Sequence, residues 1–305
     1  PTEWKEMDMR ILLPVDGSSY SRYAAEFIAS RTSMIGKKPA VEAFYVAAPR
    51  GRVVTEIWNT DVYDSWIKAG AEKAFVMVRS PLGIKGIKVE EKCVVGAPAE
   101  EIVKEIGAYK PDLVVMGAQG KTNVKKLFMG SVTNAVLAGC DTPVLLVREK
   151  PAPAQDALRV GIAVDGSEYS LKAIEWIGKN RELFGNKADF EVLSAVEDFY
   201  ADLMTAANDC DAPTVSMEDA EKYEQQEFEY ATARAIPALQ DIGVQPRAVR
   251  LVGNPGDAIA RYANKEKLDL VVMGSHGFTN FKSAVLGSVA TRVAAEAECP
   301  ILIIR

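Results

Sequence analysis

Met9 to Ser21, which contains Val15-Asp16-Gly17-Ser18, returns later in the chain as Leu158 to Ser170, which contains Val164-Asp165-Gly166-Ser167. Asp112 to Gly120 likewise returns as Asp269 to Gly277. Landmarks repeated in the same order mark a duplicated unit, and a duplicated unit must fold twice into one architecture. The separation from Asp165 to Gly274 exceeds that from Asp16 to Gly117 by eight residues, an insertion expected between Asp198 and Asp219. The length of 305 residues independently predicts about two domains. Their expected bounds are 9–148 and 158–305, with a linker over 149–157 in which Pro151 and Pro153 interrupt helix and strand alike. So short and proline-stiffened a linker predicts that the two copies pack against each other.

Each copy holds a glycine pattern. Gly117 and Gly120 are followed, after nine intervening residues, by Gly130-Ser131; Gly274 and Gly277 are followed, after nine, by Gly287-Ser288. Each pattern comes just after an apolar, β-branched run, Leu113-Val114-Val115-Met116 or Leu270-Val271-Val272-Met273. A strand that feeds a glycine loop lets backbone amides approach an anion without Cβ obstruction. A helix that opens at Ser131 or Ser288 points its unpaired amides and positive dipole end at the same anion. The pattern reads as a phosphate site in each copy.

Within the first copy, strands are expected over 10–15, 41–47, 88–95, 113–116 and 144–147. Helices are expected after Asp16-Gly17-Ser18-Ser19, through Ile67, Ala71, Ala74 and Val78, from Pro98 to near Pro111, and over 131–138. Strands alternating with helices predict an α/β fold of two tandem doubly wound, Rossmann-like domains, each with a five-stranded parallel sheet. Ligands of such sheets bind beyond the carboxyl ends of the strands where the winding reverses. The Asp16 turn, the end of the second strand and the Gly117 loop all lie at carboxyl ends.

Composition narrows the function classes. The chain is 48% hydrophobic with net charge −6 and no basic stripe, which argues against a general nucleic-acid or membrane-surface binder. Pro1 to Met9 lacks the apolar core of a signal peptide, and no apolar run approaches membrane-spanning length, so a cytoplasmic protein is expected. Cys93, Cys140, Cys210 and Cys299 show neither a close pair nor a metal-ligand spacing and are read as free thiols. One histidine, His276, cannot supply a Ser-His-Asp triad to each copy or a histidine-rich zinc site.

These residues resemble the universal stress proteins, here two such domains in tandem. Both copies meet the family's G-x2-G-x9-G-[S/T] nucleotide pattern and its Val-Asp-x-Ser turn, and the likeness runs from about Met9 to Arg305. The resemblance implies ATP bound between the first and fourth strands of each domain, with Mg²⁺ on its phosphates and no protein metal site. It implies that Asp16 and Asp165 contact the adenosine and that backbone near Val46 and Ala195 reads the adenine edge. The turns over 96–98 and 253–255 would border the pocket. Gly117, Gly120, Gly130 and Ser131 would hold the phosphates in the first copy, and Gly274, Gly277, Gly287 and Ser288 in the second. Neither loop closes with the Gly-Lys-Ser/Thr of a Walker motif, and the first turn lacks the Ser-Gly-Gly of related ATP pyrophosphatases, so adenylating chemistry is not expected.

Plainer readings stand beside these. Asp16 and Asp165 also suit helix caps, a role Ser18 and Ser167 fill equally well. Lys121, Lys125 and Lys126 in the first spacer face only Lys282 and a leading Phe278 in the second, which predicts tighter ATP binding by the first copy if these lysines are not merely solvated. Asp202, Asp209, Asp211, Glu218 and Asp219 read as a solvated loop, with an acidic lid or divalent-cation site as the sharper alternative. His276 lies within the second glycine loop, either exposed or touching phosphate.

The function expected is a nucleotide-dependent stress-response sensor or scaffold without catalytic residues, since neither motif supplies a base for water. The alternatives are a nucleotide-free interaction module of the same fold and a slow ATPase. Each copy ends in a short apolar strand, Val144 to Arg148 or Ile301 to Arg305, and unpaired edges seek partners. The resemblance implies that the final strands of two domains pair, so an internal pseudo-dimer through these strands is expected, and a homodimer of whole chains is left open.

Overall fold

A computed structural model describes residues 9–31, 39–49, 60–118, 129–149, 157–185, 187–201, 216–277 and 286–305. Apolar runs too long for alternating exposure form inner strands covered on both faces, while the more polar runs over 89–95 and 247–252 form exposed strands at the two edges of the sheet. In the first half the strands are β1 (Arg10–Val15), β2 (Ala40–Ala47), β3 (Val89–Val95), β4 (Leu113–Gly117) and β5 (Val144–Val147). In the second they are β6 (Arg159–Ala163), β7 (Asp189–Val196), β8 (Arg247–Val252), β9 (Leu270–Gly274) and β10 (Ile301–Ile304). All pair in parallel within each half, in the order β3-β2-β1-β4-β5 and its counterpart β8-β7-β6-β9-β10. The winding therefore reverses between β1 and β4, and between β6 and β9.

The helices of the first half are α1 (Ser19–Ser30), α2 (Thr60–Ile84), α3 (Pro98–Tyr109) and α4 (Ser131–Gly139). Those of the second are α5 (Glu168–Lys179), α6 (Met217–Thr232), α7 (Ala235–Asp241), α8 (Pro255–Lys265) and α9 (Ser288–Glu296). Pro98 and Pro255 stand in the first turns of α3 and α8, where a missing N–H removes no helical bond. Lys110, at φ 50, ends α3 in left-handed geometry one residue before the proline expected to stop it. Where the first copy has the single helix α2, the second has α6 and α7. Glu218 and Asp219 sit in the first turn of α6, whose cap Ser216 accepts from the Asp219 N–H at 3.1 Å and donates to its Oδ2 at 2.6 Å. Both are exposed residues of a helix's first turn, with Asp219 closing its cap, rather than part of a loop; Asp202, Asp209 and Asp211 lie outside the described residues.

The two halves join through their last strands. β10 pairs antiparallel with β5, Leu302 opposite Leu145, and makes one ten-stranded sheet. Two apolar cores, one on each face, both run through the two halves. The first gathers α1, α2, α5 and α7, and holds Leu145 and Leu302 from the seam. The second gathers α3, α4, α8 and α9, and holds Leu146, Ile301 and Ile303. Two arginines repeat across the seam. Arg148 donates to the carbonyls of Ala294 and, at 3.0 Å, Ala295, near the C-terminal end of α9. Arg305 donates to the carbonyls of Ala138 at 3.2 Å and Cys140 at 3.0 Å, at the end of α4. Each half thus places a cation on the otherwise unpaired carbonyls of a helix in the other half.

Candidate functional site

Asp165 follows β6 at the head of a turn whose next residue, Gly166, has φ 83, a region that favours glycine. Its Oδ1 accepts from the Ser167 N–H at 3.0 Å and the Ser170 hydroxyl at 2.7 Å, and its own N–H donates to Ser170 Oγ at 3.1 Å. The first copy makes the same three bonds. Asp16 Oδ1 accepts from the Ser18 N–H and the Ser21 hydroxyl, both at 2.9 Å, and the Asp16 N–H donates to Ser21 Oγ at 3.0 Å. Ser18 and Ser167, not the aspartates, stand at the N-cap positions, and of the two only Ser167 caps with its side chain. In the second copy Asp165 Oδ2 has no hydrogen-bond partner among the described residues, and a Cβ on Gly277 would lie 2.5 Å from it. The turn fixes one carboxylate oxygen and aims the other at the glycine loop.

That loop is closed at its base. The Ser275 N–H donates to the Ile304 carbonyl at 2.7 Å, and the Ser275 carbonyl accepts from the Gly287 N–H at 2.9 Å. In the first copy the Ala118 N–H donates to Val147 at 3.0 Å and the Ala118 carbonyl accepts from Gly130 at 3.2 Å. A Cβ on Gly274 would stand 2.6 Å from that of Tyr169, and one on Gly287 would stand 2.9 Å from the Ser275 carbonyl oxygen. Only glycine lets the strand, the loop and the helix start approach this closely. Helices α4 and α9 begin directly afterwards at Ser131 and Ser288, with no side-chain cap and no acidic residue in the first turn. Helices α5, α6 and α8, by contrast, are capped by the side chains of Ser167, Ser216 and Asn254. The first amides of α4 and α9 remain available to an anion.

In the second half a cavity of about 1000 Å³ opens at the carboxyl ends of β6, β7 and β9. Asp165, Ala195, Gly274, Gly277, Gly287 and Ser288 all line it, so the structure brings together the six second-copy residues assigned to the nucleotide. Pro255 borders it, as expected of its turn. His276 lies half-buried in its wall, its Nδ1 3.0 Å from Ser275 Oγ and its ring 5.3 Å from that of Tyr169. In the first half Asp16, Val46, Gly117, Gly130 and Ser131 hold the corresponding places on β1, β2, β4 and α4, and the Thr133 hydroxyl reaches the Gly117 carbonyl at 3.4 Å. Gly120, Lys121, Lys125 and Lys126 lie outside the described residues, as do Phe278 and Lys282. Among the described residues no group of three or more His, Cys, Asp or Glu is placed to hold a metal ion, and no helix is long and apolar enough to cross a membrane.

Sequence reasoning missed two parts of the site. Ser21 and Ser170 fix the aspartates, and their signal was present as a serine five residues after the aspartate in both copies. The outer wall of the cavity, with Phe199 and the α6 residues Tyr223, Glu227 and Tyr230, falls in the part of the second copy that does not repeat the first.

A family model described as the Universal stress protein family matches residues 7–148 and again 158–305. A universal stress protein of Methanocaldococcus jannaschii is 42% identical over 73 residues, which cover 24% of this chain and 45% of that protein. One from Mycolicibacterium smegmatis is 26% identical over 310 residues, 97% of this chain and 96% of its own. The crystal structure of a universal stress protein from Archaeoglobus fulgidus superposes with a TM-score of 0.70 at 20% identity and covers 98% of this chain and 99% of its own, a likeness of fold.

Proposed function

The chain belongs to the universal stress protein family, and from that premise we propose that it is a cytoplasmic, ATP-binding stress-response protein that works as a nucleotide-dependent sensor or scaffold. The observation that carries the reading is the cavity whose wall joins Asp165, Ala195, Gly274, Gly277, Gly287 and Ser288 at the point where the sheet changes its direction of winding. The residues fit a nucleotide by their chemistry. Gly274, Gly277 and Gly287 leave backbone room for phosphate, the uncapped start of α9 offers amides and a positive dipole end, and Asp165 Oδ2 offers an acceptor to a ribose or base donor. Backbone at Ala195 reads the adenine edge. Asp16, Val46, Gly117, Gly120, Gly130 and Ser131 do the same work in the first domain, over 9–148, as their counterparts do over 158–305. Mg²⁺ rides on the phosphates. The chain's own residues bind and orient the nucleotide; hydrolysis, where it occurs, is slow.

The test is to denature the purified protein, separate any released nucleotide by chromatography and count it per chain. ATP at one or two per chain supports the reading. No nucleotide, together with no heat on titration of Mg-ATP into the full chain, overturns it in favour of a nucleotide-free interaction module.

A further inference from the structure

We infer that the second domain accepts an adenine nucleotide bearing an aromatic extension on its base, that Ser194 leaves the room for it, and that Tyr45 refuses the same extension in the first domain. The inference rests on the nucleotide reading above and adds a difference in ligand between the two copies.

Strand register makes Tyr45 and Ser194 counterparts. Val15 pairs with Tyr45, and the β6–β7 pairing, Ala163 with Leu193, carries on to set Ser194 at the same step. Each directly precedes the residue, Val46 or Ala195, whose backbone is assigned to the base. Tyr45 is buried, 9% exposed, and its ring stands edge-on to Phe75 of α2 at 6.4 Å. Its hydroxyl lies where Gly70 has no side chain, since a Cβ there would be 2.9 Å away. Burial, with the fields of Cys93 and Asp16 adding, holds its phenol above the usual range. Helix α2 closes over that turn, with Ala74 Cα 3.4 Å from a Cβ on Gly17. It adds Ala71, Ala74, Phe75, Val78 and Leu82 to the core.

The second copy is built otherwise. Helix α6 buries only Ala220 and Ala231 among its apolar side chains and packs on β7, while α5 packs against α7. Ser194 replaces the tyrosine, and the cavity extends beneath α6 between Ser194, Phe199, Tyr223, Glu227 and Tyr230. Phe199 and Tyr223 stack at 4.4 Å with 28° between their planes, an aromatic wall next to the base end. A volume of about 1000 Å³ is at the top of the range of about 300–1,000 Å³ in which small-ligand pockets fall. Space remains for a group that stacks on the aromatic pair, and such contacts favour aromatic over purely polar extensions.

The experiment titrates ATP and N6-benzyl-ATP, each with Mg²⁺, into the full chain by calorimetry, for the wild type and for Ser194→Tyr and Ser194→Leu. Circular dichroism checks the fold, and the smaller leucine keeps the test alive if tyrosine is not tolerated. The wild type is expected to bind both ligands, the benzyl derivative at one site per chain. Ser194→Tyr should weaken N6-benzyl-ATP by at least about tenfold and ATP by less than about threefold, with Ser194→Leu in between. A wild type that binds ATP but not the derivative overturns the inference alone. So does a Ser194→Tyr variant that binds the derivative unchanged or loses both ligands equally. Absence of ATP binding in every chain overturns the nucleotide reading and the inference with it.

Discussion

Glu42, on β2, is 6% exposed, and its Oε1 has no hydrogen-bond partner among the described residues. It faces Glu105 of α3 and, on β3, Lys92 and Glu90. Burial is the main reason its carboxyl is pushed up to about 7; Glu105 and Glu90 add to the shift and Lys92 opposes it. The nearby ammonium is already engaged, since Lys92 Nζ bonds Glu105. Its counterpart Glu191 is also buried, yet Tyr262 and Arg247 each donate to it at 2.7 Å, and these bonds outweigh burial and hold its carboxyl below the usual range. The reversal traces to one register position, where Glu42 pairs with Glu90 and Glu191 with Arg247. Because the folded pKa lies above the ordinary 4.5, the native state holds this proton more tightly, and the stability it lends is complete below pH 4.5 and lost as the pH rises through about 7. The gap corresponds to an upper bound of roughly 3 kcal/mol at about 1.4 kcal/mol per unit. Glu42→Gln imitates the protonated form and keeps a donor for Glu105. Guanidinium melts of the two chains from pH 4.5 to 8 should show them within about 0.5 kcal/mol at the acid end and the variant ahead by roughly 2 kcal/mol at pH 8. A difference that stays constant with pH, or a variant that is weaker at pH 8, refutes the reasoning.

Three further outcomes are expected. Gly277→Ala brings a methyl within 2.5 Å of Asp165 Oδ2, whose partner oxygen is pinned by Ser167 and Ser170, so nucleotide affinity measured by calorimetry should fall by about tenfold or more with little loss of thermal stability. Arg305→Ala removes the cation from the carbonyls of Ala138 and Cys140 and should lower stability to urea by about 1–2 kcal/mol. Among the described cysteines, iodoacetamide followed by peptide mass spectrometry should modify the exposed Cys93 well before buried Cys299 or Cys140, whose thiol burial pushes up to about 11.

The duplication, the strand positions and the glycine landmarks were legible because they rest on local requirements: apolar runs for covered strands, and glycine where a Cβ would collide with Tyr169, Asp165 or the Ser275 carbonyl. Two unpaired apolar edges said that Val144–Val147 and Ile301–Ile304 seek partners, and the family resemblance said that they would pair with each other. The spacing Ser216-x-x-Asp219 carried a capping signal that the acidic character of the insertion obscured. What could not be read was how α6 and α7 seat where the first half has α2. That depends on the neighbouring layer, and the exchange of Tyr45 for Ser194 acquires its meaning only once both are placed over their helices.

The antiparallel seam also sets the direction in which each candidate site faces. Within a half all strands run one way, and β5 and β10 run oppositely, so the carboxyl ends that carry Asp16 and Gly117 lie at one margin of the sheet and those that carry Asp165 and Gly274 lie at the other. A partner with one flat recognition surface meets one nucleotide loop at a time. Two copies of such a partner would approach a single chain from opposite margins, each meeting the glycine loop of a different half.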